Sequence, residues 1–303
     1  MAQTPDSAKA VLYGQFVQAA YGMYKNPGSD PLRPQPSGIP PGYELGAWIQ
    51  MSDFILGSEE PKFYGIVVHE ISDPTSRVIA IRGTESAVEW MDDGFALPVP
   101  FRQVPNAGRV AQGFDKIYST LKVIKYTPPG ARAAAMVAGP ETFPGSFAEQ
   151  LDQVAQSYEA ARGMAPAVTS ASGAAPRPLR PTVVTGHSLG GALATLFVLE
   201  NSTKHKFDIK SLCTFASPRI GNMEFARTFN QLAIDSWRIV NTLDLAPKLP
   251  PHIPVLLDYD HVDTAYPFSS DGFAKNNLIC WHSMQTYLHS LDANQAVDPE
   301  CKP

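Results

Sequence analysis

A chain of 303 residues, 44% hydrophobic and 17% charged, has the composition of a globular protein large enough to bury an extensive core. A net charge of −5, with no run of lysine or arginine, argues against nucleic acid as a partner. No apolar run approaches the ~20 residues of a membrane span, and the N-terminal Met-Ala-Gln-Thr-Pro-Asp-Ser shows neither region of a signal peptide, which leaves the location open.

In chain order, Ser7 is placed to cap a helix over 7–25, with Val11, Leu12, Phe16 and Ala19 or Ala20 on one face. A loop rich in proline and glycine follows over 26–44. Strands are expected at 47–54, 63–71 and 77–82, the last two joined as a hairpin through Ser72-Asp73-Pro74-Thr75. Val110, Phe114, Ile117, Tyr118, Leu121 and Ile124 recur at helical spacing and predict a helix over 108–125. Residues 127–145 read as an insertion. Ser146 and Glu149 have the spacing of a capping box and open a further helix. The Ala/Ser/Pro/Gly stretch at 164–181 reads as a surface insertion without chemistry of its own. Further on, strands are expected at 208–215 and 236–242, a helix at 222–233, a strand pair within 254–268 and a last helix from about Ser283. Strands alternating with helices predict a single α/β domain over 1–303, with a mostly parallel sheet covered on both faces.

The three cysteines have no metal-binding spacing and do not form a disulfide framework. Cys213 lies in an apolar strand-like run and reads as core. Cys280 and Cys301 can pair only if the C-terminal tail folds back.

Residues 182–194, Thr-Val-Val-Thr-Gly-His-Ser-Leu-Gly-Gly-Ala-Leu-Ala, carry the chemical signal. A β-branched run ends at Gly186, a G-x-S-x-G pentapeptide follows, and small residues begin a helix. This is the context of a nucleophile elbow, a sharp strand-to-helix turn that lifts a serine hydroxyl clear of the backbone. Side chains at 186 and 190 would collide with neighbouring backbone, so glycine is expected at both. The candidate nucleophile is Ser188, with the helix N-terminus at Leu189 offering free N–H groups to an oxyanion. A serine needs a base and an orienting carboxylate. Asp244 directly follows an apolar strand, where open α/β sheets place their sites. Asp258, Asp260 and Asp263 lie in an alternating segment and read as solvated. Among the downstream histidines His282 falls after a loop and opens the last helix, His261 is its rival, His252 lies in a proline-rich loop, and His289 reads as a packing residue. His187 is expected to point away and to be structural. Thr84, just past the strand ending at Arg82-Gly83, offers a second oxyanion donor through its N–H and its hydroxyl.

Taken together, Ile-Arg-Gly-Thr (81–84), Trp90 with Asp93, Gly113-Phe114, the 184–192 stretch, Phe-Ala-Ser-Pro-Arg-Ile-Gly-Asn (215–222), Asn241 with Asp244 and Pro247, and His282 with Tyr287 resemble the class 3, fungal-type lipases of the α/β-hydrolase fold. The resemblance spans about 45–290. It implies Ser188 as nucleophile, Asp244 as orienting acid and His282 as base, with Thr84 and Leu189 forming the oxyanion hole and Asp93 supporting Thr84. It also implies a helical lid at 85–97 carrying Trp90 and Phe95. By spacing, Val88, Met91 and Phe95 share one face of such a helix and the acids another. Gln112 stands where the family commonly has histidine. The bracing disulfides of secreted fungal members are not expected, which points to a bacterial-type or intracellular relative. The implied activity is hydrolysis of acylglycerols or long-chain esters at a lipid–water interface by a monomer, with no metal or organic cofactor. A feruloyl or short-chain esterase, a phospholipase A1 and a non-catalytic binding protein of the same fold are the alternatives.

Overall fold

Runs of β-branched and apolar residues build the centre of the fold. In a computed structural model, residues 6–25, 34–52, 61–84, 95–127, 141–164, 180–253 and 257–303 are described. The strands begin with β1 (Tyr43–Ser52), β2 (Pro61–Glu70), β3 (Arg77–Ile81), β4 (Pro98–Pro100), β5 (Arg109–Ala111) and β6 (Lys122–Lys125). They continue with β7 (Arg180–His187), β8 (Phe207–Phe215), β9 (Gly221–Asn222), β10 (Asp235–Asn241), β11 (His252–Ile253), β12 (Leu257–Asp260) and β13 (Thr264–Phe268). The helices are α1 (Ser7–Lys25), α2 (Gln112–Tyr118), α3 (Phe147–Ala160), α4 (Leu189–Lys204), α5 (Met223–Asn230), α6 (Leu278–His282) and α7 (Met284–Leu291).

The central sheet has the order β13-β10-β8-β7-β3-β2-β1-β6. It is parallel from β13 through β3 and antiparallel from β3 to β6. All five residues of β3 are buried, as expected of a strand covered on both faces. One face packs against α2, α3 and α4 through Phe114, Leu151, Leu193 and Phe197. The other packs against α1 and α7 through Phe16, Val17, Trp48, Phe215, Tyr287 and Leu288. A small antiparallel sheet, β11-β12-β9-β5-β4, sits apart from this layer.

Several boundaries differ from the sequence expectation. Asp6, not Ser7, caps α1: its Oδ1 accepts the Ala8 and Lys9 N–H groups at 3.1 and 3.2 Å. The expected helix over 108–125 shortens to α2. Arg109–Ala111 and Lys122–Lys125 are strands because Val110, Val123 and Ile124 find strand partners, and tertiary pairing overrides the helical spacing. The expected pair within 254–268 serves two sheets: β12 pairs with β9 and β11, while β13 runs parallel to β10. The expected capping box opens α3, with the Ser146 N–H donating to Glu149 Oε2 at 2.9 Å. Most of the 127–145 and 164–181 insertions lies outside the described residues.

The tail does fold back. Cys280 and Cys301 form a disulfide that ties the turn Pro299–Cys301 to α6, and Cys213 stays buried as a free thiol. The pairing that the sequence left open is therefore made, and the inference of a bacterial-type or intracellular relative from missing disulfides loses that support. No helix of the described residues is long and apolar enough to cross a membrane.

At the amino-terminal ends of β3 and β7, Arg77 and Arg180 converge on Glu159 of α3 at 3.1 and 2.7 Å, and Arg180 also pairs with Asp152. Beside this cluster His69 of β2 is fully buried and stacks on Tyr158, with ring centroids 3.5 Å apart. Burial first, then the charge of Arg77 and more weakly those of Arg162 and Arg180, lowers its pKa to about 2. The unfolded chain takes up this proton near pH 6.5 and the folded chain does not, so stability falls as pH drops from 6.5 toward 2, by up to ~1.4 kcal/mol per pH unit. His69→Phe keeps the stacking and removes the titration. Urea melts at pH 7 and 4.5 are expected to show a smaller acid loss in the variant, by about 2 kcal/mol; equal losses would exclude His69 as a source of acid lability.

Candidate active site

The elbow lies between β7 and α4. Ser188 takes φ 55° and ψ −126°, a left-handed backbone that a serine adopts only when its surroundings enforce it. The enforcement is visible. Its N–H donates to Phe215 O of β8 at 2.8 Å, and its carbonyl accepts the Gly191 N–H at 2.9 Å. A Cβ on Gly186 would fall 2.3 Å from Gly190 O, and one on Gly190 would fall 2.2 Å from Ile81 O. The glycines thus let α4 descend onto the ends of β3 and β7, as expected of this pentapeptide. The Leu189 N–H is the first amide of α4, a position to which the helix itself offers no acceptor.

The loop beyond β10 carries Asp244, which is buried. Its Oδ1 accepts the Ala246 N–H at 3.0 Å; its Oδ2 accepts the Tyr287 hydroxyl at 2.8 Å and lies 2.7 Å from His282 Nδ1. His282 closes α6 rather than opening the last helix, and Ser283 is the N-cap residue of α7. With Nδ1 engaged by the carboxylate, His282 Nε2 is the free ring nitrogen. Among the described residues neither this nitrogen nor Ser188 Oγ has a hydrogen-bond partner, and both are buried. Catalytic hydrogen bonds of this kind are commonly open before substrate arrives.

Asn241 and Tyr287 brace the acid. The Asn241 N–H donates to the Tyr287 hydroxyl at 3.1 Å, and its side-chain amide donates to Ser270 Oγ and to the Trp281 carbonyl at 2.8 and 2.9 Å. The chain therefore ties β10, the 270 region and α6 together around one carboxylate. Burial and the Asp244 charge push the Tyr287 hydroxyl well above its usual pKa, so it stays a donor.

The rivals lie elsewhere. His261 Nε2 pairs with Pro247 O at 2.8 Å, and burial, with Arg238 and Arg219 nearby, lowers its pKa to about 3. His252 Nδ1 meets Tyr259 O and His289 Nδ1 meets Gln295 O. Asp258 and Asp260 lie on β12 and Asp260 is exposed, but Asp263 is half-buried at φ 53°, its pKa raised by burial, and so is not the solvated group expected. His187 does not point clear of the site. Its ring centroid is 4.6 Å from that of His282, and burial first, then the His282 ring, holds its pKa well below 6.5.

Thr84 is buried at the end of the β3 segment, and a Cβ on Gly83 would lie 2.8 Å from Ser188 Cβ, so this backbone runs against the elbow. Trp90, Asp93 and the 85–94 part of the expected lid lie outside the described residues. Phe95 is half-buried, its ring 5.3 Å from Phe114 in an edge arrangement, and Gly113 leaves room for it. Gln112 opens α2 and its N–H donates to Leu97 O at 2.8 Å. Among the described residues no group of three His, Cys, Asp or Glu gathers as metal ligands.

The class of the protein follows from a strand-to-helix elbow above a mostly parallel sheet with an Asp–His pair at its carboxyl edge. The profile of the family "Lipase (class 3)" matches residues 78–253, more than half of the chain, and the chain belongs to that family. It is 27% identical over 235 residues to Phospholipase A1-II 4 of Oryza sativa subsp. japonica, covering 72% of this chain and 50% of that protein. It is 35% identical over 157 residues to Secreted mono- and diacylglycerol lipase 1 of Fusarium solani, covering 50% of this chain and 43% of that protein. These matches span half or less of either relative. The Rhizomucor miehei triacylglyceride lipase structure superposes with a TM-score of 0.54 at 20% identity, over 88% of this chain and 82% of that one, which shows the shared α/β-hydrolase fold.

Tyr287→Phe removes the donor to Asp244 and the acceptor of the Asn241 N–H together. Because one bond goes to a buried charged group, unfolding free energy is expected to fall by about 2 kcal/mol, measured by urea denaturation at pH 7. An unchanged midpoint would show that the hydroxyl does not hold this loop.

Proposed function

We propose that the chain hydrolyses carboxylic esters of acylglycerols through an acyl-enzyme. The observation that carries this reading is the buried His282–Asp244 pair, at 2.7 Å, with His282 Nε2 and Ser188 Oγ both left unpaired beside the elbow. Ser188 Oγ attacks the ester carbonyl as His282 Nε2 takes its proton. Asp244 stabilises the imidazolium, and the Leu189 and Thr84 donors receive the oxyanion. His282 then protonates the departing alcohol. Water, deprotonated by the same nitrogen, attacks the acyl carbon and releases the acid and free Ser188.

The segments that carry the acid and the base also support an apolar substrate at an interface. Leu245 follows Asp244, and Leu278 and Ile279 lie on α6 with His282; all are exposed, Ile279 by 81%. A second reading, a phospholipase A1, is favoured by the likeness to the rice phospholipase A1 and needs no different catalytic group. Emulsified trioctanoin assayed against phosphatidylcholine vesicles separates the two, the first reading requiring faster turnover on the triglyceride.

Ser188→Ala is expected to lose about 10⁶ in kcat on p-nitrophenyl butyrate while keeping its circular dichroism spectrum. His282→Ala should be nearly as inactive, and His261→Ala should keep most of its activity. Thr84→Val keeps the N–H and removes the hydroxyl, and should lower kcat by about 10²–10³. An active Ser188→Ala would overturn the mechanism, and inactivity of His261→Ala with an active His282→Ala would move the base.

Ile279→Glu replaces an exposed apolar side chain by a charge. Losing the burial of one isoleucine, about 1.5–3 kcal/mol, should cut activity on emulsified triglyceride at least tenfold and leave the soluble butyrate unchanged. Equal effects on both substrates would remove α6 from the interface.

A further inference from the structure

Helix α1 lies outside the matched stretch 78–253 and carries none of the candidate catalytic groups. Yet α1 reaches the elbow. Gly14 lets it press onto α7, where an added Cβ would fall 2.6 Å from Leu288, and Tyr21, two turns later, meets the end of β3. Its hydroxyl accepts the Gly83 N–H at 3.0 Å and lies 2.8 Å from His187 Nδ1. On the other side of the same residue, buried Arg82 turns back so that its Nη1 donates to the Gly83 carbonyl at 2.8 Å, while its Nε donates to Phe63 O at 3.2 Å. The guanidinium is seated against aromatic faces, 4.0 Å from the Tyr64 ring centroid, 5.0 Å from Tyr24 and 5.8 Å from Tyr21.

Both polar groups of Gly83 are therefore held, one by each partner. The consequence follows from peptide geometry. The Gly83 carbonyl and the Thr84 N–H belong to one planar trans unit and point in opposite directions. Fixing the carbonyl toward Arg82 fixes the Thr84 N–H away from it. Fixing the Gly83 N–H on Tyr21 sets the preceding plane, so a glycine with wide conformational freedom is left with one orientation. A charged donor on the carbonyl also polarises the peptide and strengthens its N–H as a donor. The same glycine touches the elbow, its would-be Cβ lying 2.8 Å from Ser188 Cβ and 2.9 Å from the Tyr21 oxygen.

We propose that Arg82 and Tyr21 form a clamp that positions the Gly83–Thr84 peptide as an oxyanion donor facing Ser188. Both are positioning residues, since they act through Gly83 and touch no reacting atom. The proposal rests on the ester-hydrolase reading and adds to it an N-terminal helix as part of the site.

The test uses Tyr21→Phe, which removes only the hydroxyl, and Arg82→Lys, which keeps the charge but loses the planar fork. Active sites are counted by fluorophosphonate titration so that rates refer to folded enzyme. On p-nitrophenyl butyrate, kcat per titrated site is expected to fall about tenfold for Tyr21→Phe and about 10²-fold for Arg82→Lys, with KM within twofold of wild type. An alkyl boronic acid, which becomes tetrahedral on the serine, should lose affinity by the same factors as kcat/KM. Loss of packing alone would lower the titrated fraction and leave the per-site rate and the boronate affinity unchanged, and that result overturns the clamp. So does a fall in kcat with an unchanged boronate affinity. Wild-type turnover and Ser188 labelling are measured first. Their absence overturns the ester-hydrolase reading and the clamp with it, whereas an active wild type with unchanged variants overturns the clamp alone.

Discussion

The site depends on how closely three backbones approach one another where β3, β7 and α4 meet. A Cβ on Gly186 or Gly190 would come within 2.3 Å of backbone oxygen or closer, and one on Gly83 within 2.8 Å of Ser188. This crowding confines Ser188 to φ 55° and leaves its N–H bound to Phe215 O at 2.8 Å. A strained residue persists only where neighbours over-determine it. Here the neighbours are parallel strands locked in register on both sides of β7, with Ile81 opposite Gly186 and Gly186 opposite Thr214. The sheet thereby fixes the turn, and the turn fixes the hydroxyl.

Charge is distributed along the same strands in opposite ways. At the amino ends of β3 and β7, Arg77 and Arg180 are paired with Glu159 and Asp152 in a closed cluster. Beyond the carboxyl edge of the sheet lies the Asp244–His282 pair, with one ring nitrogen left open. The closed cluster holds the strand starts in place, because removing one member would leave a buried charge without compensation. The open end can accept a proton because its carboxylate is already oriented by Tyr287 and the Ala246 N–H.

His187 sits where these parts meet. Its ring is flanked by Tyr21 at 5.8 Å, His282 at 4.6 Å and Tyr287 at 5.9 Å between centroids. Burial keeps it uncharged, so it adds no positive charge beside the His282 imidazole proposed as the base. One ring thus joins α1 and α7 to the residue next to the elbow serine, and the two helices of one face of the sheet share a role in shaping the site.

Local chemistry decided much of this in the sequence. The β-branched run before Gly186 and the small residues after Ser188 specify a strand, a tight turn and a helix, because each constraint is set by residues within a few positions. Asp244 was legible for the same reason, as a carboxylate at the end of an apolar strand. Residues 109–111 and 122–125 were not, because Val110, Val123 and Ile124 suit a helix face and a strand equally, and their strand partners lie far along the chain. The pairing of His282 with Asp244 spans 38 residues and that of Tyr21 with His187 spans 166. Nothing near Tyr21 marks it, since an apolar helix position accommodates tyrosine as readily as phenylalanine. The Cys280–Cys301 bond required the tail to fold back. The sequence by itself determined the elbow and the strand-end carboxylate, where neighbours in the chain set the geometry. Tertiary structure decided which histidine reaches the acid and which helix grips Gly83, because those distances are set by how whole elements pack.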